Sequence, residues 1–128
     1  MKYGKINHVS IVIKDWNEAS DRYGRLLGIK HWYEIVTDEG SFDMRYRGEK
    51  KNSKVRIFYG GKGTTKIELI ETSGDKNIYD RFYEKHGEAV HHVMYMTKDL
   101  DKTVREFSDN GFQVLQDATF TGYRVQKN

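Results

Sequence analysis

The most restrictive feature of the chain is an internal repeat: HVSIVIKD at 8–15 returns as HVMYMTKD at 92–99, matching His, Val, Lys and Asp at an offset of 84 residues. The same offset lays Trp16 on Leu100 and Tyr23 on Phe107. In the first copy Val9, Ile11 and Ile13 alternate with His8, Ser10 and Val12, the period-2 pattern of a strand with two unlike faces; His8 lies opposite the apolar one. Asp15 and Asn17 are placed to cap a helix running to about Leu27. Trp16, Ala19, Tyr23, Leu26 and Leu27 fall on one side of it, and Gly28 ends it. The second copy continues into Leu100, Val104 and Phe107 at i, i+4 and i+7 and stops at Gly111. Four identities in eight positions also fit generic strand-to-helix grammar; a histidine at the same strand phase in both copies is what raises duplication above it. Two copies related by a pseudo-twofold axis would aim His8 and His92 into one cleft from opposite sides.

At 128 residues there is room for about one domain, so the copies are read as halves of a single domain spanning 1–128. The first module covers about 5–72, a connecting helix about 75–87, and the second module about 89–128. Between the copies, β-type runs lie at 31–36, 42–46, 54–60 and 66–71, and the glycine-rich GGKGTT is a turn into the last of them. GGKGTTK lacks the order of a phosphate-binding loop and leads into a strand instead of a helix. The chain has no cysteine, so any metal must be held by His, Asp and Glu. A formal charge of +3 argues for neither nucleic acid nor an anionic membrane. MKYGKINHVS has no apolar signal-peptide core, and no stretch approaches a membrane span, so the chain is read as soluble and cytoplasmic.

INHVSIVIKDWNEASDRYGRLLG, TKIELIE and IYDRFYEKHGEAVHHVMYMTKDLDKTVREFSDNGFQVLQ together resemble the vicinal oxygen chelate superfamily (glyoxalase, bleomycin resistance and dioxygenase proteins). The match is to its methylmalonyl-CoA epimerase and glyoxalase I-like members and covers about residues 5–116. The resemblance implies an α+β fold of two tandem βαβββ modules whose curved sheets enclose a metal-containing cleft. It implies metal ligands on the first strand of each module, matching His8 and His92, and on the last strand of the first, matching Glu68. A divalent ion (Zn, Co, Ni, Mn or Fe) suits two imidazoles and a carboxylate that leave positions open for substrate. Taken alone, Glu68 reads better as an exposed edge-strand glutamate, on the face of Lys66 and Ile70.

The remaining assignments combine that resemblance with the residues themselves. A carboxylate would remove a proton beside a metal-bound carbonyl; one alignment puts Asp43 in that place, another a basic or apolar residue of KVRIFYG. Met94 and Met96 share the His92 face as cavity lining, whereas His91, by strand alternation, is assigned to the opposite face with a structural role. Arg45, Arg47, Lys50, Lys51, Lys54 and Arg56 form either a solvated hairpin or a patch for the phosphates of a coenzyme A or nucleotide-like substrate. The expected activity is that of a metal-dependent isomerase or lyase on a small molecule, such as an acyl-CoA or glutathione-type thioester, in a homodimer. A non-haem iron dioxygenase and a non-catalytic, ligand-sequestering protein are the alternatives. TGYRVQKN is expected to end within or just after the penultimate strand, since no Glu follows Glu106. The second module would then be one strand short, with at most three protein ligands, water or a neighbouring subunit in the fourth position, and an edge prone to association. A natural ending and a piece of a longer protein are equally open.

Overall fold

The computed structural model describes residues 2–37 and 40–128. The first strand–helix unit is β1 (His8–Val12) and α1 (Trp16–Leu27). It is followed by β2 (Trp32–Thr37), β3 (Phe42–Tyr46), β4 (Glu49–Lys51), β5 (Ser53–Gly60) and β6 (Lys66–Gly74). After α2 (Ile78–His86) the unit repeats as β7 (Ala89–Met94) and α3 (Leu100–Asp109), and β8 (Gln116–Phe120) and β9 (Tyr123–Lys127) close the chain. The fold is α+β, built on a curved mixed sheet with three helices among the described residues.

That sheet has the order β7-β1-β6-β5-β2-β9, and a smaller one has the order β4-β3-β8. β1 runs parallel to β6 and antiparallel to β7, so the two copies of the repeated strand lie side by side. β8 and β9 do not join β7: β8 pairs with β3 and β9 with β2, so the second half folds back over the first. β3 and β4 are joined by a two-residue turn at Arg47 (φ 51°) and Gly48 (φ 82°), the left-handed pair that a tight hairpin needs.

Strand alternation divides the large sheet into two chemically different faces. One carries Ile11, Phe58, Leu69 and Trp32, which pack with Ile13, Ile29 and Ala19 of α1 into the main core, with Trp16, Tyr23 and Ile67 at its margin. α1 is fixed by its ends: Asp15 accepts from the Glu18 amide (3.0 Å), Gly28 closes the helix at φ 70°, and Glu71 of β6 accepts from the Trp16 amide (2.7 Å). The expected apolar stripe stops short of the helix end. Leu26 and Leu27 are exposed, because the chain turns at Gly28 and Ile29 enters the core in their place.

α2 starts at Asn77, fully buried, whose side chain accepts from the Tyr79 amide (2.9 Å) and the Asp80 amide (3.3 Å) while Asp80 accepts from the Asn77 amide (3.3 Å). This reciprocal box satisfies donors that would otherwise be stranded at a buried helix end. Asn77→Ala is expected to cost about 1–2 kcal/mol, read as a lower midpoint in thermal or urea unfolding. An unchanged midpoint would show that the box contributes nothing.

Candidate metal centre

The cavity-facing side of the large sheet carries a row of polar residues in register across four strands: His92 on β7 opposite Ser10 on β1, Ser10 opposite Glu68 on β6, and Glu68 opposite Tyr59 on β5. His8 lies two residues before Ser10 and so shares its face. Ligand atoms of His8, Glu68 and His92 fall within 4.8 Å of one another. His8 Nε2 stands 3.3 Å from Glu68 Oε2, and His92 Nε2 stands 3.6 Å from Glu68 Oε1. His8 and Glu68 are each only 3% exposed, so the open-edge reading of Glu68 does not describe its position.

These three side chains sit in a cavity of about 200 Å³ between the sheets. Its walls are otherwise largely apolar, with Val55, Ile57 and Ile70 on the large sheet and Phe42, Met44 and Phe120 on the small one. Tyr59 and, from α2, Tyr79 complete the polar side. Neither tyrosine was singled out by sequence reasoning. For Tyr59 the signal is its phase with Val55 and Ile57; for Tyr79 nothing in the sequence says which way α2 docks.

Burial dominates the electrostatics. It raises the Glu68 carboxyl above its usual range, and it lowers His92 to about 4, with His91 and His8 adding repulsion against a proton there. His8 is lowered by burial as well. Tyr79 is pushed up to about 12 by burial and by the Glu68 charge, and Tyr59 is raised by the same two causes. At neutral pH the imidazoles are therefore uncharged and the phenols keep their protons. The hydroxyls of Tyr59 and Ser10 favour the carboxylate, but less than desolvation opposes it. Glu68 Oε1 and Ser10 Oγ are buried without a hydrogen-bond partner.

The donor set fits a divalent ion. The Asn7 carboxamide oxygen lies 3.0 Å from His8 Nδ1 and can only accept, so the His8 proton sits on Nδ1 and its Nε2 lone pair faces Glu68. A lone pair aimed at a carboxylate oxygen is repulsive unless positive charge lies between them. Ligand bonds of ~2.0–2.2 Å in a tetrahedral site put donor atoms about 3.4 Å apart, close to the 3.3 and 3.6 Å between each histidine and its nearer Glu68 oxygen.

The structure does not bring the other candidates to this cluster. Asp43 and Arg45 alternate with the inward Phe42 and Met44, so they point to the outer side of β3, where Arg45 pairs with Asp43 at 3.4 Å. The geometry thus gives Asp43 no access to a substrate in the cavity. Arg47 occupies the exposed turn after β3. The basic run is partly neutralised: Lys51 pairs with Glu49, and Arg56 with Glu34 and Glu71. Met94 lines the cavity, but Met96 lies past the end of β7, is 59% exposed, and faces a separate apolar cleft against α3.

His91 also departs from expectation. Ser10 pairs with His92 and Ile11 with Val90, so His91 is the extra residue of a β-bulge. The bulge interrupts alternation and swings its ring beside that of His92, with Nδ1 to Nδ1 at 2.8 Å and both rings against Tyr79.

The sequence profile of the Glyoxalase/Bleomycin resistance protein/Dioxygenase superfamily matches residues 7–126. An uncharacterised Bacillus subtilis protein, YqjC, is 22% identical over 111 residues, covering 87% of this chain and 70% of that one. An ethylmalonyl-CoA/methylmalonyl-CoA epimerase of Cereibacter sphaeroides is 25% identical over 113 residues, covering 88% and 75%. Among solved structures, a Streptomyces coelicolor methylmalonyl-CoA epimerase in complex with 2-nitronate-propionyl-CoA superimposes with a TM-score of 0.63 at 22% identity, covering 87% of this chain and 72% of that one. No helix among the described residues is long and apolar enough to cross a membrane.

Proposed function

The chain belongs to the Glyoxalase/Bleomycin resistance protein/Dioxygenase superfamily, and from that premise we propose that it is a metal-dependent isomerase or lyase of epimerase type. It would act on a small carbonyl compound with an acidic neighbouring C–H, such as an acyl-CoA thioester. The observation that carries this reading is the convergence of His8, Glu68 and His92 on one point of an otherwise largely apolar cavity, with Glu68 Oε1 left without a partner. His8, Glu68 and His92 would hold the ion, which when bound supplies Lewis-acid polarisation of the substrate carbonyl.

The chain's own residues do the rest. Glu68 Oε1, buried and without a hydrogen-bond partner, would take the proton from the carbon beside the carbonyl while Oε2, on the His8 side, holds the ion. The C–H electron pair moves toward the substrate oxygen, and the proton on Glu68 returns to carbon in the product. The Tyr59 and Tyr79 hydroxyls, which stay protonated, can donate to oxygen as its charge grows. Apolar walls lower the local dielectric around the reacting atoms. About 200 Å³ admits the reacting head of a substrate and leaves a coenzyme handle outside. Arg45 and Arg47, outside the cavity, are retained only as contacts for the phosphates of such a handle. A homodimer is part of this proposal by resemblance to the family.

Incubating the protein with methylmalonyl-CoA, or with a hemithioacetal, in deuterated water tests the reading. Deuterium should enter the carbon beside the carbonyl with Co²⁺ added and not after chelation. Absence of metal-dependent exchange in both substrates overturns it. Tight uptake of intact ligand without metal, or oxygen consumption that requires ferrous iron, would replace it with the sequestering or the dioxygenase alternative.

A further inference from the structure

We propose that His91 is a positioning residue for His92: it accepts a hydrogen bond from His92 Nδ1–H, which keeps His92 Nε2 free of a proton and aimed at Glu68. The inference rests on the reading of His8, Glu68 and His92 as a metal centre and adds to it a residue that touches neither metal nor substrate.

The Nδ1 atoms of His91 and His92 are 2.8 Å apart, and between two neutral imidazoles one proton can lie on that line. If His91 supplied it, the His92 proton would be on Nε2. That N–H would face the unpartnered Glu68 Oε1 at 3.6 Å, an arrangement that suits the chain without metal but leaves the nitrogen unable to coordinate. If His92 supplies it, Nε2 presents its lone pair. His8 is arranged in the same way, with Nδ1 held by Asn7 next to it in sequence and Nε2 toward Glu68. Each histidine of the cluster thus has its inner nitrogen tied by an adjacent residue, a second layer of contact that fixes tautomer and ring direction at metal sites.

His91 can do this because it is itself held. The bulge places it beside His92, and two aromatic rings of α2 grip it edge-on: Phe82 at 4.8 Å and 89°, and Tyr79 at 5.2 Å and 64°. The connecting helix acts as the brace of the metal centre, and its buried Asn77 cap anchors the brace.

The test uses the full chain with ¹⁵N-labelled histidine, loaded with Zn²⁺. Long-range ¹H–¹⁵N spectra report which ring nitrogen carries the proton: the expected result is Nδ1 for His92 and Nε2 for His91. His91→Phe keeps a ring between Phe82 and His92 but removes the acceptor. It should release His92 to the other tautomer and lower Co²⁺ affinity about 10–100-fold by calorimetry. His91→Asn, which returns an acceptor oxygen, should recover most of that loss. A wild-type His91 protonated on Nδ1, or His91→Phe binding Co²⁺ as tightly as wild type, overturns the proposal. Should His91→Phe fail to fold, the wild-type spectrum and His91→Asn still decide. Wild type that binds neither Zn²⁺ nor Co²⁺ would defeat the metal reading, whereas tight binding with His91 protonated on Nδ1 would defeat this inference alone.

Discussion

Replacing Glu68 with leucine is expected to have opposite effects on folding and on metal binding. Co²⁺ or Zn²⁺ affinity should fall on the order of 10²–10³-fold, because a four-ligand structural zinc site is worth about 10–16 kcal/mol, roughly 3–4 per ligand. Without metal, the variant should unfold at a higher temperature than wild type. The reason is that a carboxylate almost removed from solvent, with Oε1 unpartnered, is replaced by a side chain of similar volume that suits the surrounding Ile57, Ile70 and Met44. The sign with pH follows from the raised carboxyl. A group whose pKa is higher folded than unfolded supports folding below its unfolded value of 4.5, and that support is lost as pH rises through the folded value. The advantage of Glu68→Leu should therefore be absent near pH 4 and grow toward neutrality. Thermal melts of both proteins at several pH values, with and without Co²⁺, measure all of this. Wild type that gains no stability from metal, or Glu68→Leu that gains as much, would refute the ligand assignment.

Phe58→Ala should produce the largest loss of stability without touching the metal. Phe58 is fully buried, stacks on Trp16 at 3.5 Å and 5°, and lies under the Arg56 guanidinium at 4.8 Å, while Trp16 meets Trp32 edge-on at 5.7 Å. Truncating a buried phenylalanine costs about 3–5 kcal/mol; for a chain of this length that is a fall of roughly 10–20 °C in Tm. Phe58 faces α1, whereas its neighbour Tyr59 faces the cavity. Metal should thus raise the midpoint of Phe58→Ala by about the same free energy as wild type, since the two sites share no partner. A loss below about 1 kcal/mol would mean that the aromatic stack is not what joins α1 to the sheet.

How much of this was legible in the sequence depends on whether strand alternation holds. It holds in β1 and β6, and there it puts His8, Ser10 and Glu68 on one face and Ile11, Ile67 and Leu69 on the other. It also holds in β3, where Phe42 and Met44 against Asp43 and Arg45 is itself the sign that Asp43 points outward; reading the strand by alignment instead of by phase misplaces it. Alternation fails at the bulge in β7, which nothing in AVHHVM announces, so the partnership of His91 with His92 was out of reach. Periodicity also reports that a strand exists and not which strand it joins. A strand is expected in TGYRVQKN, where β9 lies, yet its pairing with β2, like that of β8 with β3, depends on contacts between distant parts of the chain.

That return of the last two strands has a consequence in time. Phe120 pairs with Phe42 and Lys127 with Tyr33, so enclosing the cavity requires joining points about eighty to ninety residues apart along the chain. Loops of that length are closed late, and topologies dominated by them reach the native state in milliseconds to seconds instead of microseconds. During synthesis at ~5–20 residues per second, β3 is finished several seconds before β8 has been made. From the completion of β6 until then, the strand carrying Glu68 lacks the part of its lid that β8 supplies. The order of events written into the topology is therefore site first, enclosure last, and the carboxylate stays in contact with water until almost the end of folding.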